Sequence, residues 1–267
     1  MTFAEAVNFA PATDKQAIAD AFSRASSTYD AHAEFQRQVG QQLLARMPAD
    51  LSNQTILDLG CGTGYFSQKL RARGARVICV DISSEMLCAA RQRCGVEGMH
   101  YLCADAEDLP IENHTVDYVF SSLALQWCAD LSIPLKEIKR VTKQSGRAFF
   151  STLLDGSLSE LKQAWSEVDN FQHVNDFVSS NQVNIALAQA RCNQHELNCV
   201  PMTIWYESAF ALMRDLKGIG AGHVEGRSHA LTGRKALVKV EHAYQAFRTH
   251  QGLLPASYQV CIGEIHL

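Results

Sequence analysis

Residues 56–67 read ILDLGCGTGYFS, and the rest of the chain is best read outward from them. ILDL is a short apolar strand carrying one acid, Asp58. The glycines of GCGTG (60–64) permit a tight turn, and YFSQKLRARG continues at helical spacing as far as Gly74. A glycine turn between strand and helix lets the backbone approach a ligand closely, and the helix start offers free N–H groups. A second string of the same spelling, GIGAG at 218–222, has the opposite context. It follows a helical pattern, FALMRDLK, with no strand feeding it and no acid at the proper distance beyond. It reads as a helix end, with Gly218 closing the helix in a left-handed conformation, and not as a second nucleotide loop.

Around the first string the pattern alternates. ARVICVD (75–81), MHYLCAD (99–105), VDYVFSS (116–122) and RAFFSTL (147–153) are strands. Between them lie the helix SSEMLCAARQRC, capped by Ser83, and the helix LSIPLKEIKRVTKQSG. Apolar strands alternating with helices argue for an α/β fold with a mostly parallel sheet covered on both faces. The first three strands each deliver an acid, Asp58, Asp81 and Asp105, to the carboxyl edge, where such sheets bind ligands. Two helices precede the sheet, the first opened by a T-x-x-Q capping box at Thr13–Gln16 and the second running to about Met47. After the fifth strand come a helix over about 158–168, a polar Asn-rich stretch, and a strand in HELNCVPMTIWYE. Pro201 marks that strand as an edge or a bulge. Two helices over about 207–251 read as a cap, and SYQVCIGEI (257–265) is a last strand. The chain thus divides into N-terminal helices (1–50), a ligand-binding core (53–153) and a C-terminal part carrying the cap (154–267).

With 267 residues, 47% of them hydrophobic, the chain can bury a large core without disulfides or metals. The nine cysteines include no C-x-x-C pair and no zinc spacing, so they read as small buried hydrophobes of a reducing, cytoplasmic protein, with no metal site. The N-terminus has no signal-peptide pattern, and no apolar run is long enough to cross a membrane. A net charge of −4 argues against broad nucleic-acid binding, and an acidic partner would need a local basic patch. No apolar stripe is left over for a partner subunit, so a monomer is expected.

The string (V/I)LDxGCGxG, the acid in VDIS and the acidic loop CADAEDLP together resemble the class I S-adenosylmethionine-dependent methyltransferases. The resemblance implies their seven-stranded Rossmann-like sheet and an adenosylmethionine cofactor, released as adenosylhomocysteine. Carried over by position, Asp58, Gly60, Cys61, Gly62 and Gly64 would surround the methionine part, and Asp81 would bind the ribose hydroxyls. Ile82 and Met86 would pack on adenine, with Asp105, Ala106 and Glu107 at its amino edge. Ser121 and Leu123 would face the sulfonium. For Ile82, Met86 and Leu123 plain core packing is the competing reading.

Outside that core, KQAIADAFSRASSTYDAHAEFQR, SSLALQWC, TLLDGSLSELKQAW and MTIWYESAFALMRDLKGIGAGHVEGR resemble the malonyl-[acyl-carrier protein] O-methyltransferases of biotin synthesis. This implies methylation of a free malonyl carboxylate on an acyl carrier protein or coenzyme A. LKGIGAGH would then belong to a cap over the acyl thioester, with Arg214, Lys217 and Arg227 as a basic face for an acidic carrier. Tyr29 and His32 would reach over the cofactor, Gln126 and Trp127 would wall the acceptor pocket, and Arg147, Lys217 or His223 would oppose the acceptor carboxylate. A carboxylate nucleophile is ionised at neutral pH, so no general base is needed. Three other readings compete. One is a methyltransferase for a quinone or other small molecule; another is a nicotinamide oxidoreductase; the third is a non-catalytic module that only holds adenosylmethionine.

Overall fold

The computed structural model describes residues 14–222 and 233–267. Helices α1 (Lys15–Ala25), α2 (Tyr29–His32) and α3 (Glu34–Ala45) precede the sheet. Asp14 caps α1 by accepting from Ala17 N at 2.9 Å; the expected partner of Gln16, Thr13, lies outside the described residues. The second helical pattern is split in two at Ala33.

β1 (Thr55–Leu59), α4 (Tyr65–Ala72), β2 (Arg76–Asp81), α5 (Ser84–Cys94), β3 (Met99–Cys103) and β4 (Val116–Ser122) follow in turn. Then come α6 (Ser132–Val141) and β5 (Thr142–Leu154) without an intervening loop, α7 (Ser159–Ser166), α8 (Ser180–Gln189) and β6 (Gln194–Tyr206). The chain closes through α9 (Ala209–Gly218), α10 (Arg234–Tyr244) and β7 (Leu254–His266). The sheet order is β3-β2-β1-β4-β5-β7-β6. β1 to β5 pair in parallel, and β7 lies antiparallel between β5 and β6. This is the expected seven-stranded, mostly parallel sheet.

Alternation along the strands feeds two separate cores. Phe149 packs with α3, α4, α5 and α7, whereas its neighbour Phe150 packs with α6 and α8. β6 is an edge strand in continuous register with β7, so Pro201 loses no ladder bond and makes no bulge. α8 occupies the stretch read as irregular. Ser179 and Gln182 form its capping box, and Val183 and Leu187 are fully buried beneath it. Residues 142–146, the end of the string LSIPLKEIKRVTKQSG read as a helix, lie inside β5, because that strand extends back to pair with β4 from Val116. No helix among the described residues is long and apolar enough to cross a membrane.

Candidate functional site

The carboxyl ends of β1, β2, β3 and β4 open into a cavity of about 700 Å³. Gly60, Gly62, Asp81, Ile82, Met86, Asp105, Ala106 and Leu123 line it, so most of the expected cofactor residues converge. Gly60, Gly62 and Gly64 all have positive φ, which an L side chain would strain. A Cβ on Gly62 would meet nothing within 4 Å, whereas one on Gly60 would run into Ala124. Gly64 serves a different purpose: a Cβ there would come within 2.9 Å of Ala90, so its bareness lets α4 close on α5.

Asp81 is buried and accepts Gly62 N at 2.8 Å on one oxygen and Ser83 N at 2.9 Å on the other. Each oxygen keeps a lone pair for a further donor. Burial pushes its carboxyl up to about 6 despite those two N–H bonds. Asp58 is deeper, accepts Ser67 Oγ at 2.5 Å, and lines a smaller recess behind the glycine turn together with Cys61. Burial raises it to about 7, against the Ser67 bond and with Asp81 adding repulsion. Cys61 faces Cys79, and that contact with burial holds its thiol well above the ordinary value.

Two expected contacts are displaced. Ser121 points into the sheet, its Oγ donating to Leu59 O at 2.9 Å, and Ser122 lines the cavity instead. Glu107 is outside the lining; it accepts Lys15 Nζ at 2.7 Å and Ala129 N at 3.2 Å. Lys15 also reaches Asp105 at 3.2 Å, so α1 is fastened across the mouth of the cavity, a contact that no sequence pattern announces.

A second cavity, of about 770 Å³, adjoins the first. Phe22, Tyr29, Leu123 and Trp127 line both and form the boundary between them. Phe22 and Trp127 meet edge to face at 5.3 Å, joining α1 to the loop after β4. Burial, with Asp81 and Asp30 nearby, holds the Tyr29 phenol far above its ordinary value, so its hydroxyl stays protonated and can donate. Beyond the boundary the walls are mostly apolar: Phe35, Leu153, Leu158, Phe177, Ile219 and Tyr258. Gln126 is there as expected, joined by Gln36, His173 and Asn175. The Oε1 atoms of Gln36 and Gln126 are buried with no hydrogen-bond partner. His173 stacks on Trp165 at 3.6 Å and meets Asp169 at 2.9 Å through Nε2. Among the described lining residues there is no Lys, Arg, Asp or Glu.

The expected counter-charges are therefore not in this cavity. Arg147 sits in register with Tyr118 and His266, away from the carboxyl edge, ion-paired to Glu264 and lying over Phe149. Lys217 lines an outer groove. His223, like Arg227, falls outside the described residues. His32 faces the cap, bonded to Asp215 at 2.7 Å, and lines neither cavity. Gly218 is the last residue of α9 without a left-handed φ; Gly220 carries that turn. Gln36 and His173 carry no local signal, because only the tertiary fold brings α3 and the segment after α7 to β4.

The lining of the first cavity fits adenosylmethionine: Gly62 leaves room against the backbone, and the acids suit a hydroxyl-bearing cation. Residues 57–150 match the methyltransferase domain family. Solved structures of similar fold include a complex between the Haloferax volcanii Trm112 methyltransferase activator and a methyltransferase, with a TM-score of 0.59 at 20% identity over 93% of this chain and 96% of that one. Another is geranyl diphosphate C-methyltransferase from Streptomyces coelicolor A3(2), solved with S-adenosyl-L-homocysteine (TM-score 0.51, 17% identity, 85% and 78% covered). Fold and cavity define a class I S-adenosylmethionine-dependent methyltransferase. Across nearly its whole length the chain is 45% identical to malonyl-[acyl-carrier protein] O-methyltransferase of Serratia marcescens (95% of this chain, 96% of the relative) and 42% identical to that of Yersinia pestis (95% and 92%). It belongs to the malonyl-[acyl-carrier protein] O-methyltransferase family. It also matches, at 42% identity, half of the biotin biosynthesis bifunctional protein BioHC of Cellvibrio japonicus.

Proposed function

We propose that this chain methylates the free carboxylate of a malonyl thioester carried by an acyl carrier protein, giving the methyl ester that starts pimeloyl formation for biotin. The observation that carries the reading is the shared boundary, at Tyr29, Leu123 and Trp127, between the cofactor cavity and an apolar second cavity free of described cations and acids.

When bound, adenosylmethionine supplies an electrophilic methyl group on a sulfonium. On this reading Asp81 holds the ribose hydroxyls, Ile82 and Met86 flank the adenine, and Asp105 and Ala106 lie at its edge. Gly62 gives the methionine part its room, and Gly60, close against Ala124, shapes the turn beside it. The acceptor is already an anion at neutral pH, so the chain's task is in-line placement and exclusion of water. The amides of Gln36 and Gln126 and the Tyr29 hydroxyl are neutral donors. They would hold the carboxylate without the strong pairing that an Arg would impose, which leaves its lone pairs free to attack. His173, fixed by Asp169 and Trp165, would complete the polar set. The apolar wall of Phe35, Leu153 and Tyr258 keeps bulk water out.

The test is adenosylhomocysteine release with malonyl-carrier protein set against acetyl-carrier protein. Turnover with the first and none with the second is the expected result. Binding of adenosylmethionine with silence on every malonyl thioester would remove the acceptor assignment and favour a small-molecule substrate.

A further inference from the structure

Two of the nine cysteines stand directly opposite each other across a strand pair. Cys199 of β6 and Cys261 of β7 are register partners in the antiparallel ladder. Opposed residues in such a ladder point to the same face of the sheet, and here it is the face that α8 covers. Cys261 shares a core with Val183 and Leu187 of α8, and Cys199 Sγ lies 3.7 Å from Ser180 Oγ at the start of that helix. Their exposure differs. Cys261 is fully buried, whereas Cys199, on the edge strand, reaches solvent.

The backbone tells which kind of pair this is. Antiparallel pairs alternate between those that exchange two N–H···O bonds and those that exchange none, and the second kind brings its Cα atoms to about 4.5 Å. Gln259 N donates to Ser157 Oγ at 2.9 Å, and Gln259 O accepts from the same hydroxyl at 3.3 Å. Both groups therefore point away from β6, and the opposed Pro201, with no N–H to offer, fits that arrangement. The register runs on unbroken, so Cys261, two residues along β7, repeats the phase of Gln259. Cys199 and Cys261 are thus a pair without ladder bonds, the kind that brings side chains closest. A disulfide needs Cα atoms about 4.4–6.8 Å apart, and a pair of this kind falls at the short end of that range. Burial pushes the Cys261 thiol up to about 12, with the Cys199 thiol adding to the rise. Cys261 is therefore the slower partner, and Cys199 is where a reagent must enter.

We propose that Cys199 and Cys261 form a dithiol that low-molecular-weight disulfides convert, reversibly, into a cross-strand staple between β6 and β7. The Cys199 thiolate attacks one sulfur of glutathione disulfide, one glutathione leaves as its thiolate, and a mixed disulfide remains on Cys199. Cys261, deprotonated in turn, attacks the Cys199 sulfur and expels the second glutathione. The two cysteines are oxidised, the external disulfide is reduced to two thiols, and the cysteine protons pass to the departing thiolates. The new bond closes a loop of about 60 residues, so it restricts the unfolded chain far more than the folded one. That loop holds α9 and α10, and the staple joins the two strands from which the cap springs. Neither cysteine lines either cavity, so methyl transfer is expected to proceed in both forms.

The experiment equilibrates the full chain with reduced and oxidised glutathione at varied ratio, alkylates the remaining thiols and maps the peptides by mass spectrometry. A peptide pair joined through Cys199 and Cys261 is expected as the ratio turns oxidising. The thermal midpoint should rise by about 5 °C or more relative to Cys199→Ser treated alike, and dithiothreitol should reverse both changes. The exposed Cys88 and Cys103 are the internal comparison. Glutathione adducts on those two, with Cys199 and Cys261 still alkylated, would overturn the proposal. An adduct that persists on Cys199 without exchange to Cys261 would overturn it as well. A joined pair that leaves the midpoint level with Cys199→Ser would refute the staple.

Discussion

The imidazole of His32 occupies the space that a side chain on Gly218 would need. A Cβ built there would stand 2.2 Å from Cδ2 and 2.9 Å from Cβ of the histidine. The ring is also tied to Asp215 at 2.7 Å, and Thr28 Oγ1 donates to Gly218 O at 2.9 Å, so α2 is fastened to the cap at three points. Gly218→Ala is expected to cost about 1–3 kcal/mol, as overpacking does, and to lower acceptor turnover more than cofactor affinity. Gly222→Ala, where an added Cβ meets nothing, is the comparison. Thermal unfolding of both variants checks this, and equal midpoints would refute it.

Cofactor affinity is expected to depend on pH through Asp81. Ribose hydroxyls donate, so they favour the ionised carboxylate, and burial has moved that carboxyl up to about 6. Binding should therefore strengthen as pH rises through 6, by about tenfold between pH 5 and pH 7.5. Calorimetric titration of adenosylmethionine at the two pH values measures it. Asp81→Asn should bind more weakly and without the pH dependence.

Asp58 gives a stability signature of the opposite sense. Its carboxyl, raised to about 7 by burial, binds a proton more tightly in the folded chain than in the unfolded one. The stabilisation is present below the ordinary carboxyl value of about 4 and is lost as pH climbs to 7. Urea midpoints of the cofactor-free protein at pH 4.5 and 7.5 should differ, and Asp58→Asn should reduce the difference. A variant as pH-sensitive as the parent would show that Asp58 is not the titrating group.

Gln126→Leu keeps the volume of the side chain and removes its amide. Loss of one donor to a charged group costs about 1.5–3 kcal/mol, so kcat/KM for the malonyl acceptor should fall by roughly ten- to a hundredfold. Adenosylmethionine affinity should stay within twofold. Parallel kinetics and calorimetry separate the two, and a matching loss of cofactor binding would place Gln126 in another role.

Arg147→Met tests the corrected position of that arginine. It leaves Glu264, buried in β7, with His266 Nε2 at 3.0 Å as its remaining side-chain partner. Because Arg147 is itself one-third exposed, the cost is expected at about 1–2 kcal/mol, below that of a fully buried pair. Methyl transfer should remain within twofold of the parent. A urea melt and a kcat/KM measurement decide the matter.

What the sequence revealed and what it hid have physical causes. β1, β2 and β4 are short inner parallel strands largely buried on both faces, and β3 is a half-exposed edge strand beside them, so hydrophobic runs and glycine turns mark the group. Their acids then mark the cofactor edge. α8 is hidden because its face is narrow: Val183, Ala186 and Leu187 are its buried residues, and exposed polar residues such as Asn181 and Asn184 fill most of the rest, although the S-x-x-Q box at Ser179 is a legible signal. Ser121 and Ser122 are hard to tell apart because a one-residue phase in a strand decides which face a side chain serves. Arg147 is misplaced for a different reason: it stands well before the carboxyl end of β5, opposite Tyr118 in the first half of β4, and a parallel strand presents its early residues at the edge away from the ligand. The second cavity draws on α1, α2, α3, β5 and the cap, elements whose meeting no local pattern records.

β7 is the last strand in the chain and an inner strand of the sheet. Until residues 254–266 have emerged, the outer edge of β5 has no partner and β6 has nothing to pair with. Contacts such as Ser157 with Gln259 close a span of 102 residues, a slow kind of closure. The glycine turn and its three acids need only strands that are made much earlier. A growing chain therefore passes through a stage in which the cradle for the methyl donor can be built while the wall against the acceptor cannot. The order of synthesis sets the order in which the two halves of the reaction become possible.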